Sequence, residues 1–350
     1  MWLRRSAESG SEETAPSLAQ GSMLQRYLLL WLVGLSLVAA YWPTVFEDPF
    51  LLSKPFLGQM VMLIMFSIGA ILPVDEVKDV LSRWYMILGG TAVQYLSMPA
   101  LAWGVTQLFP MDESTRLGVI LAGCVPGAMA SNVLTMAAKG NVSYSVGLTT
   151  SATLLSPLVV PLALWVTLGA QASPQLLLDS AQWLAVQVVL PTVTGFLLSR
   201  FSDRFARAAE YSAESIANLT ILWVIAVVVA ANRGSLRELP VQLVSALLLL
   251  NLSGYLAGAT GGWLLSLNSG MRRALILEVG MQNAGAGVAL ASALFPHQSG
   301  VALPCGLYAF GCMLTGTLLA QTLGRFPPKV GLAKQCEPKP EPSLETGIDP

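Results

Sequence analysis

Residues Ala274–Leu294 read ALILEVGMQNAGAGVALASAL. The run is about as long as a membrane-crossing helix, which needs roughly 20 apolar residues, and it carries one charge. Glu278 is the only charged side chain between Arg273 and Arg325. A carboxylate at bilayer depth costs roughly 2.5–3.5 kcal/mol on insertion scales unless something compensates it. No lysine or arginine within the run can do so; a bound cation could. Around it, Glu278-Val279-Gly280-Met281-Gln282-Asn283-Ala284-Gly285 supplies oxygen ligands and helix-loosening glycines. The stretch reads as an intramembrane ion site.

Composition sets the class. Charged residues are 11% of the chain, against about 25% in soluble domains. Hydrophobic residues are 54% and the mean hydropathy is +0.63. These values exclude a soluble domain and predict an all-α polytopic protein whose main partner is the lipid bilayer. A net charge of -1 argues against nucleic acid. Cys124, Cys305, Cys312 and Cys336 have neither metal spacing nor a disulfide framework and read as reduced filler. Residues 1–24 read as a disordered Ser/Glu-rich leader. They are not a signal peptide, because no apolar stretch follows Arg4 and Arg5 before Gln25. Met23, just before the first apolar run, is an alternative start. Residues 326–350, with five prolines from Pro327 to Pro342, read as a cytoplasmic tail.

Ten apolar runs are expected to span: 27–44, 56–74, 84–109, 117–139, 142–168, 178–199, 214–232, 240–267, 273–295 and 300–324. With ten spans the basic residues divide 15 to 4 between the two sides, the minority being Lys54, Arg116, Arg233 and Arg237. The positive-inside rule then puts both termini in the cytoplasm. Trp31, Trp42, Trp84, Trp103, Trp183 and Trp263 fall mostly toward span ends and read as interface anchors. Arg200–Arg207 reads as a cytoplasmic loop, and His297, the only histidine, as a solvated loop residue.

Two spans carry breaks. Span 4 contains Cys124-Val125-Pro126-Gly127-Ala128-Met129-Ala130-Ser131-Asn132, where proline removes a backbone donor and glycine loosens the turn. Span 9 contains Gly280-Met281-Gln282-Asn283-Ala284-Gly285-Ala286-Gly287. Both breaks are read as ending in Asn. Five spans separate them, so they hold corresponding places in halves of opposite orientation. That is the pattern of an inverted-repeat secondary transporter whose site lies where the breaks meet. The second half-helices present N-termini with about half a positive charge each, suited to an anion. The first half-helices end in carbonyls that, with Glu278, suit a hard cation such as Na⁺.

Pro126-Gly127 with Ser131-Asn132, followed by Glu278-Val279-Gly280-Met281-Gln282-Asn283, resembles the bile acid:sodium symporter family in a bacterial member, over about residues 27–324. The resemblance implies ten helices in two inverted five-helix repeats, 25–170 and 171–325. A core of spans 3–5 and 8–10 would pack on a panel of spans 1, 2, 6 and 7, with broken helices 4 and 9 crossing in the core. It implies two Na⁺ ions. The first would sit among Ser131, Asn132, Ser145, Thr149 and Glu278. The second would sit among Gln94, Glu278, Gln282 and the carbonyls of Val279 and Met281. Ser145 and Thr149 are four apart and share a helical face, but such hydroxyls also bond back to their own helix. Gln94 has the alternative role of interhelical glue.

Asn132 and Asn283, with Met129 and Ala130, are the expected substrate-binding residues. With no midplane Arg or Lys, a monoanion is the expected substrate: a small carboxylate, an oxo acid or a bile-acid-like anion. Span 10 places Cys305, Cys312, Thr315 and Thr317 where some bile-acid carriers place extra polar residues. The expected activity is Na⁺-coupled symport by alternating access, by a monomer in a bacterial inner membrane. A sodium or proton antiporter and a non-transporting receptor are the rivals. An intramembrane enzyme finds little support, since acid–base chemistry would rest on Glu278 alone.

Overall fold

Backbone facing lipid must satisfy its own hydrogen bonds, and the chain does so with helices. The structure is a computed structural model that describes residues 27–43, 45–72, 84–234 and 240–326. The expected leader, Met23, Cys336 and the tail beyond Phe326 lie outside the described residues, as do Lys78, Arg83 and Arg237. Twelve helices follow in order among the described residues. They are α1 (Leu28–Ala40), α2 (Pro49–Ala70), α3 (Trp84–Leu108), α4 (Glu113–Cys124), α5 (Ala130–Ala137) and α6 (Val142–Leu168). Then come α7 (Pro174–Phe201), α8 (Asp203–Ala231), α9 (Val241–Leu264), α10 (Ser269–Gly280), α11 (Ala284–Leu294) and α12 (Ala302–Arg325).

Six of them, α2, α6, α7, α8, α9 and α12, are long and apolar enough to cross a membrane by length and composition. Helices also occupy the other four expected spans, each shorter or more polar. The first, α1, has 13 residues. The third, α3, has 25 but carries Thr91, Gln94 and Thr106 on its buried side. The fourth and ninth are each split into two short pieces, α4/α5 and α10/α11.

Sequence boundaries moved where a cap overrode the hydropathy pattern. The loop expected at Arg200–Arg207 is absent. One residue, Ser202, separates α7 from α8, and its hydroxyl accepts from Phe205 N at 3.3 Å. With Asp203 in the first turn, this cap lets α8 begin at Asp203 rather than 214. Likewise α2 begins at Pro49 rather than 56, because Asp48 accepts from the amides of Phe50 and Leu51. Within α7, Ala185–Val189 form a π turn closed by Leu190 N on Ala185 O. Pro191 follows and has no amide to continue the regular ladder. Before α4, the hydroxyl of Thr115 donates to Asp112, which also caps the helix, and together they hold its carboxyl below the usual carboxylate range.

The helices form two groups that share a continuous apolar core, joined where α7 lies against α6 and where α11 lies against α2, α7 and α8. α2 lies against α7 and α8, and α1 against α8. α9 lies against α3 and α10, α3 against α4 and α6, and α12 against α4 and α11. Polar staples hold each group. Arg233 pairs with Asp48 at 2.5 Å and donates to Ala39 O, joining the ends of α8, α2 and α1. Arg273 donates to Ala138 O at 2.6 Å and to Phe326 O, joining α10 to the ends of α5 and α12. Trp31, Trp84, Trp103 and Trp263 are exposed, as is His297.

α2 and α7 meet backbone to backbone. A Cβ at Gly195 would run into Phe66 O, and one at Gly69 into Thr192 O. Gly195→Val is therefore expected to destabilise the protein by about 1–3 kcal/mol through overpacking. A thermal melt in detergent checks this, with Gly311→Ala as the neutral comparison, since a Cβ there meets nothing within 4 Å.

Candidate ion and substrate site

The two breaks touch each other. Residues Gly127 and Gln282 pair as an isolated antiparallel bridge. Ala128 N donates to Met281 O at 2.9 Å and Asn283 N donates to Pro126 O at 2.8 Å. Amides and carbonyls that the helices cannot use are thus satisfied by the other break, as buried backbone requires. Proline and glycine create the two openings locally; only their pairing places them side by side.

Glu278 sits at this crossing in the last turn of α10, with 0% exposure. Ser131 Oγ, from the first turn of α5, donates to Glu278 Oε2 at 2.5 Å. Thr149 Oγ1, from α6, lies 2.7 Å from Glu278 Oε1. The same hydroxyl lies 3.1 Å from Ser145 O and 3.5 Å from Asn132 Oδ1. Both readings of Thr149, bonding to its own helix and facing the carboxylate, are therefore met by one atom. Among the described residues no lysine or arginine pairs with Glu278. A hydroxyl is donor and acceptor at once, so Ser131 and Thr149 can hold the carboxylate through O–H and still offer lone pairs to a cation.

Gly127 lies directly against this carboxylate. A Cβ there would overlap Glu278 Oε1 and come within 3.2 Å of Gln94 Nε2. On the other side, Gln94 Nε2 donates to Gln282 Oε1 at 3.4 Å, and Gln282 Nε2 donates to Val279 O at 2.9 Å. Gln94 is 1% exposed and its Oε1 has no protein partner. A buried, unpartnered carbonyl oxygen is a group a hard cation could use, and the neighbouring hydroxyl, carboxylate and carbonyl donors are all oxygen. Among the described residues, no three His, Cys, Asp or Glu side chains gather as a transition metal would want.

The structure thus brings Ser131, Asn132, Thr149 and Glu278 into one cluster, and Gln94, Gln282 and Val279 O into an adjoining one. Ser145 stands slightly apart: its Oγ is 3.2 Å from Thr135 Oγ1, a partner the sequence reading did not name. Met281 O already accepts the Ala128 amide.

The expected substrate residues are placed differently from one another. α5 starts at Ala130 with Met129 as its N-cap, so Asn132 lies inside the first turn rather than at the end of the break. The turn closes early because Ser131 N and Asn132 N bond back to Ala128 O and Met129 O. Asn283 does begin α11, and its Oδ1 accepts from Ala286 N at 3.0 Å, so one side-chain atom serves as the cap. Met129 and Ala130 are half-buried at the head of α5.

Sequence reasoning missed Asn251, Tyr308 and Tyr255. They form a buried polar cluster with Thr315 behind the break in α10. A signal existed for Asn251, an amide near the middle of the apolar run of α9.

A helical membrane protein with two interrupted helices meeting over a buried carboxylate belongs structurally with ion-coupled carriers. Comparison with known proteins makes this specific. Residues 59–239 match the Sodium Bile acid symporter family. The uncharacterized sodium-dependent transporter YocS of Bacillus subtilis is 31% identical over 302 residues, 83% of this chain and 88% of that protein. The probable chloroplastic sodium/metabolite cotransporter BASS1 of Arabidopsis thaliana is 30% identical over 76% of this chain and 66% of that one. The human sodium/bile acid cotransporter 4 is 26% identical over 69% of this chain and 57% of its own length. The chain belongs to the sodium bile acid symporter family. It is a membrane transporter of that family and not an enzyme.

Proposed function

We propose that this protein carries a small organic monoanion inward together with two Na⁺ ions. The observation that carries the reading is Glu278, fully buried where the two breaks pair, held by two hydroxyls and facing no basic side chain among the described residues. A bound cation would offset the cost of a buried carboxylate in that setting. Relatives named as sodium-dependent and as sodium/metabolite or sodium/bile acid cotransporters support sodium as that cation and an organic molecule as the co-substrate.

One ion would bind among Ser131, Asn132, Ser145, Thr149 and Glu278. The other would bind among Gln94, Glu278, Gln282 and the carbonyls of Val279 and Met281. Sharing Glu278 couples the two ions, since each reduces the cost of its burial. The carboxylate substrate would meet Met129, Ala130, Asn132 and Asn283 at the heads of α5 and α11, where the half-helix dipoles favour negative charge. The ten spans form two inverted five-helix repeats with both termini cytoplasmic, in a bacterial inner membrane. In this reading α1, α2, α7 and α8 are the panel and the remaining helices the core. The polar staples lie within each group, Arg233 in one and Arg273 in the other, which supports movement of one group against the other.

Two Na⁺ per monoanion move one net positive charge. An inside-negative potential of 100 mV is worth about 2.3 kcal/mol per charge, which corresponds to roughly 40-fold more accumulation. The test is uptake of labelled pyruvate, pantoate, a branched oxo acid and taurocholate into proteoliposomes with Na⁺ or K⁺ outside, at imposed potentials. Accumulation that needs Na⁺ and rises with potential is the expected result. Na⁺-dependent accumulation indifferent to voltage would replace the stoichiometry by one ion per anion. Na⁺ flux without any anion would indicate an antiporter.

A further inference from the structure

Gly280 is the last residue of α10, and helix ends leave carbonyls without intrahelical partners. Its carbonyl is nevertheless doubly capped. Asn251 Nδ2, from α9, donates to Gly280 O at 2.8 Å, and Tyr308 OH, from α12, donates to the same oxygen at 2.8 Å. Both side chains are 1% exposed. The orientation of Asn251 is itself dictated. Thr315 Oγ1 donates to Asn251 Oδ1 at 2.6 Å, and Thr315 Oγ1 lies 3.0 Å from Tyr255 OH. The amide oxygen therefore faces Thr315 and the amide nitrogen faces Gly280. The Tyr255 ring lies flush against Gly280, where a Cβ would overlap it.

The next residue, Met281, is extended, with φ -109° and ψ 106°. In an extended residue the flanking peptide planes face opposite ways. Holding Gly280 O toward α9 and α12 therefore turns Met281 O the other way, toward Ala128 on the opposing break. It also fixes the peptide that follows Val279 O. Of three successive carbonyls beside Glu278, the middle one is withdrawn by two donors, and its neighbours take their direction from it.

We propose that Asn251 and Tyr308 are positioning residues that set the sodium affinity of the α10 break by capping Gly280 O. The proposal rests on the reading in which Gln94, Glu278, Gln282 and the carbonyls of Val279 and Met281 hold an ion. Without the caps, the Gly280 peptide loses the two donors that hold it away from the site, and the adjoining carbonyls keep only the bonds from Gln282 Nε2 to Val279 O and from Ala128 N to Met281 O.

Equilibrium binding of radiolabelled sodium to the full chain in detergent, with choline as inert replacement, tests it without knowledge of the organic substrate. Removing one cap on Gly280 O is expected to weaken sodium binding about fivefold in Tyr308→Phe and about tenfold in Asn251→Leu, which also loses the bonds to Tyr308 and Thr315. Saturating stoichiometry stays unchanged, because no ligand is lost. A purely structural role would lower the melting temperature in choline while leaving sodium affinity at the parent value, and that result overturns the proposal. Gln94→Ala separates the two possible failures. If it weakens binding while Tyr308→Phe and Asn251→Leu bind like the parent, positioning falls and the ion site stands. If all three bind like the parent, the ion site itself is misplaced and the proposal falls with it.

Discussion

Glu278→Gln is expected to abolish sodium-driven accumulation while leaving a folded, inserted protein. Ser131 and Thr149 donate to different carboxylate oxygens; in the amide one hydroxyl keeps an oxygen to donate to and the other can accept from the new N–H, so the hydroxyl cluster retains partners. It removes the one charge that the site offers a cation. A unit pair at about 4 Å and an effective dielectric near 20 is worth about 4 kcal/mol, so sodium affinity should fall on the order of 1,000-fold. Stability moves the other way, because taking a charge out of a buried position relieves desolvation. In choline the variant should melt at or above the parent temperature. In sodium at about 100 times its dissociation constant, one bound ion stabilises the parent by about 2.7 kcal/mol, and the variant should lose that gain. A sodium-dependent rise in melting temperature equal to that of the parent would remove Glu278 from the ion site.

Gly127→Val is the second large effect, and it acts by shape alone. The position pairs with Gln282 across the crossing, and any Cβ there enters the Glu278 carboxylate. Neither neighbour can yield freely, because the backbone hydrogen bonds of Ala128 to Met281 and of Asn283 to Pro126 hold the breaks together. The side chain must push Glu278 off Ser131 and Thr149 or separate the breaks, so sodium binding should drop roughly 10–100-fold, as it does on loss of a metal site's orienting shell. Gly104→Ala, at a position with nothing within 4 Å, should bind sodium like the parent. Both variants are read by radiolabelled sodium binding. Parent-like affinity in Gly127→Val would mean that the crossing is looser than the structure requires.

Much of this was legible in the chain because lipid makes the physics local. A segment in hydrocarbon must bond to itself, so apolar length alone called helices at α3, α6, α9 and α12 to within a few residues. Pro126-Gly127 and the glycines from Gly280 to Gly287 marked the openings in α4/α5 and α10/α11 for the same reason: a missing donor or missing Cβ acts on its own turn. Glu278 stood out because the cost of a buried charge depends on depth, and depth can be counted. Capping was harder to read. Ser202 and Asp48 extended α8 and α2 beyond their apolar stretches, since a side-chain oxygen can start a helix in a segment whose hydropathy is indifferent.

The amino-acid sequence by itself determined that the protein is helical and membrane-embedded, where its helices are interrupted, and which one carboxylate is isolated at depth. The tertiary structure alone decided which oxygens that carboxylate meets. Ser131 and Glu278 are 147 residues apart, and Gln94 and Gln282 are 188 apart. Nothing in the local pattern distinguishes a threonine that bonds only its own helix from Thr149, or assigns Asn283 Oδ1 to capping α11 and Asn251 to capping Gly280. Those choices depend on which donors lie within about 3 Å across a helix interface, and that distance is set by packing between segments far apart in the chain.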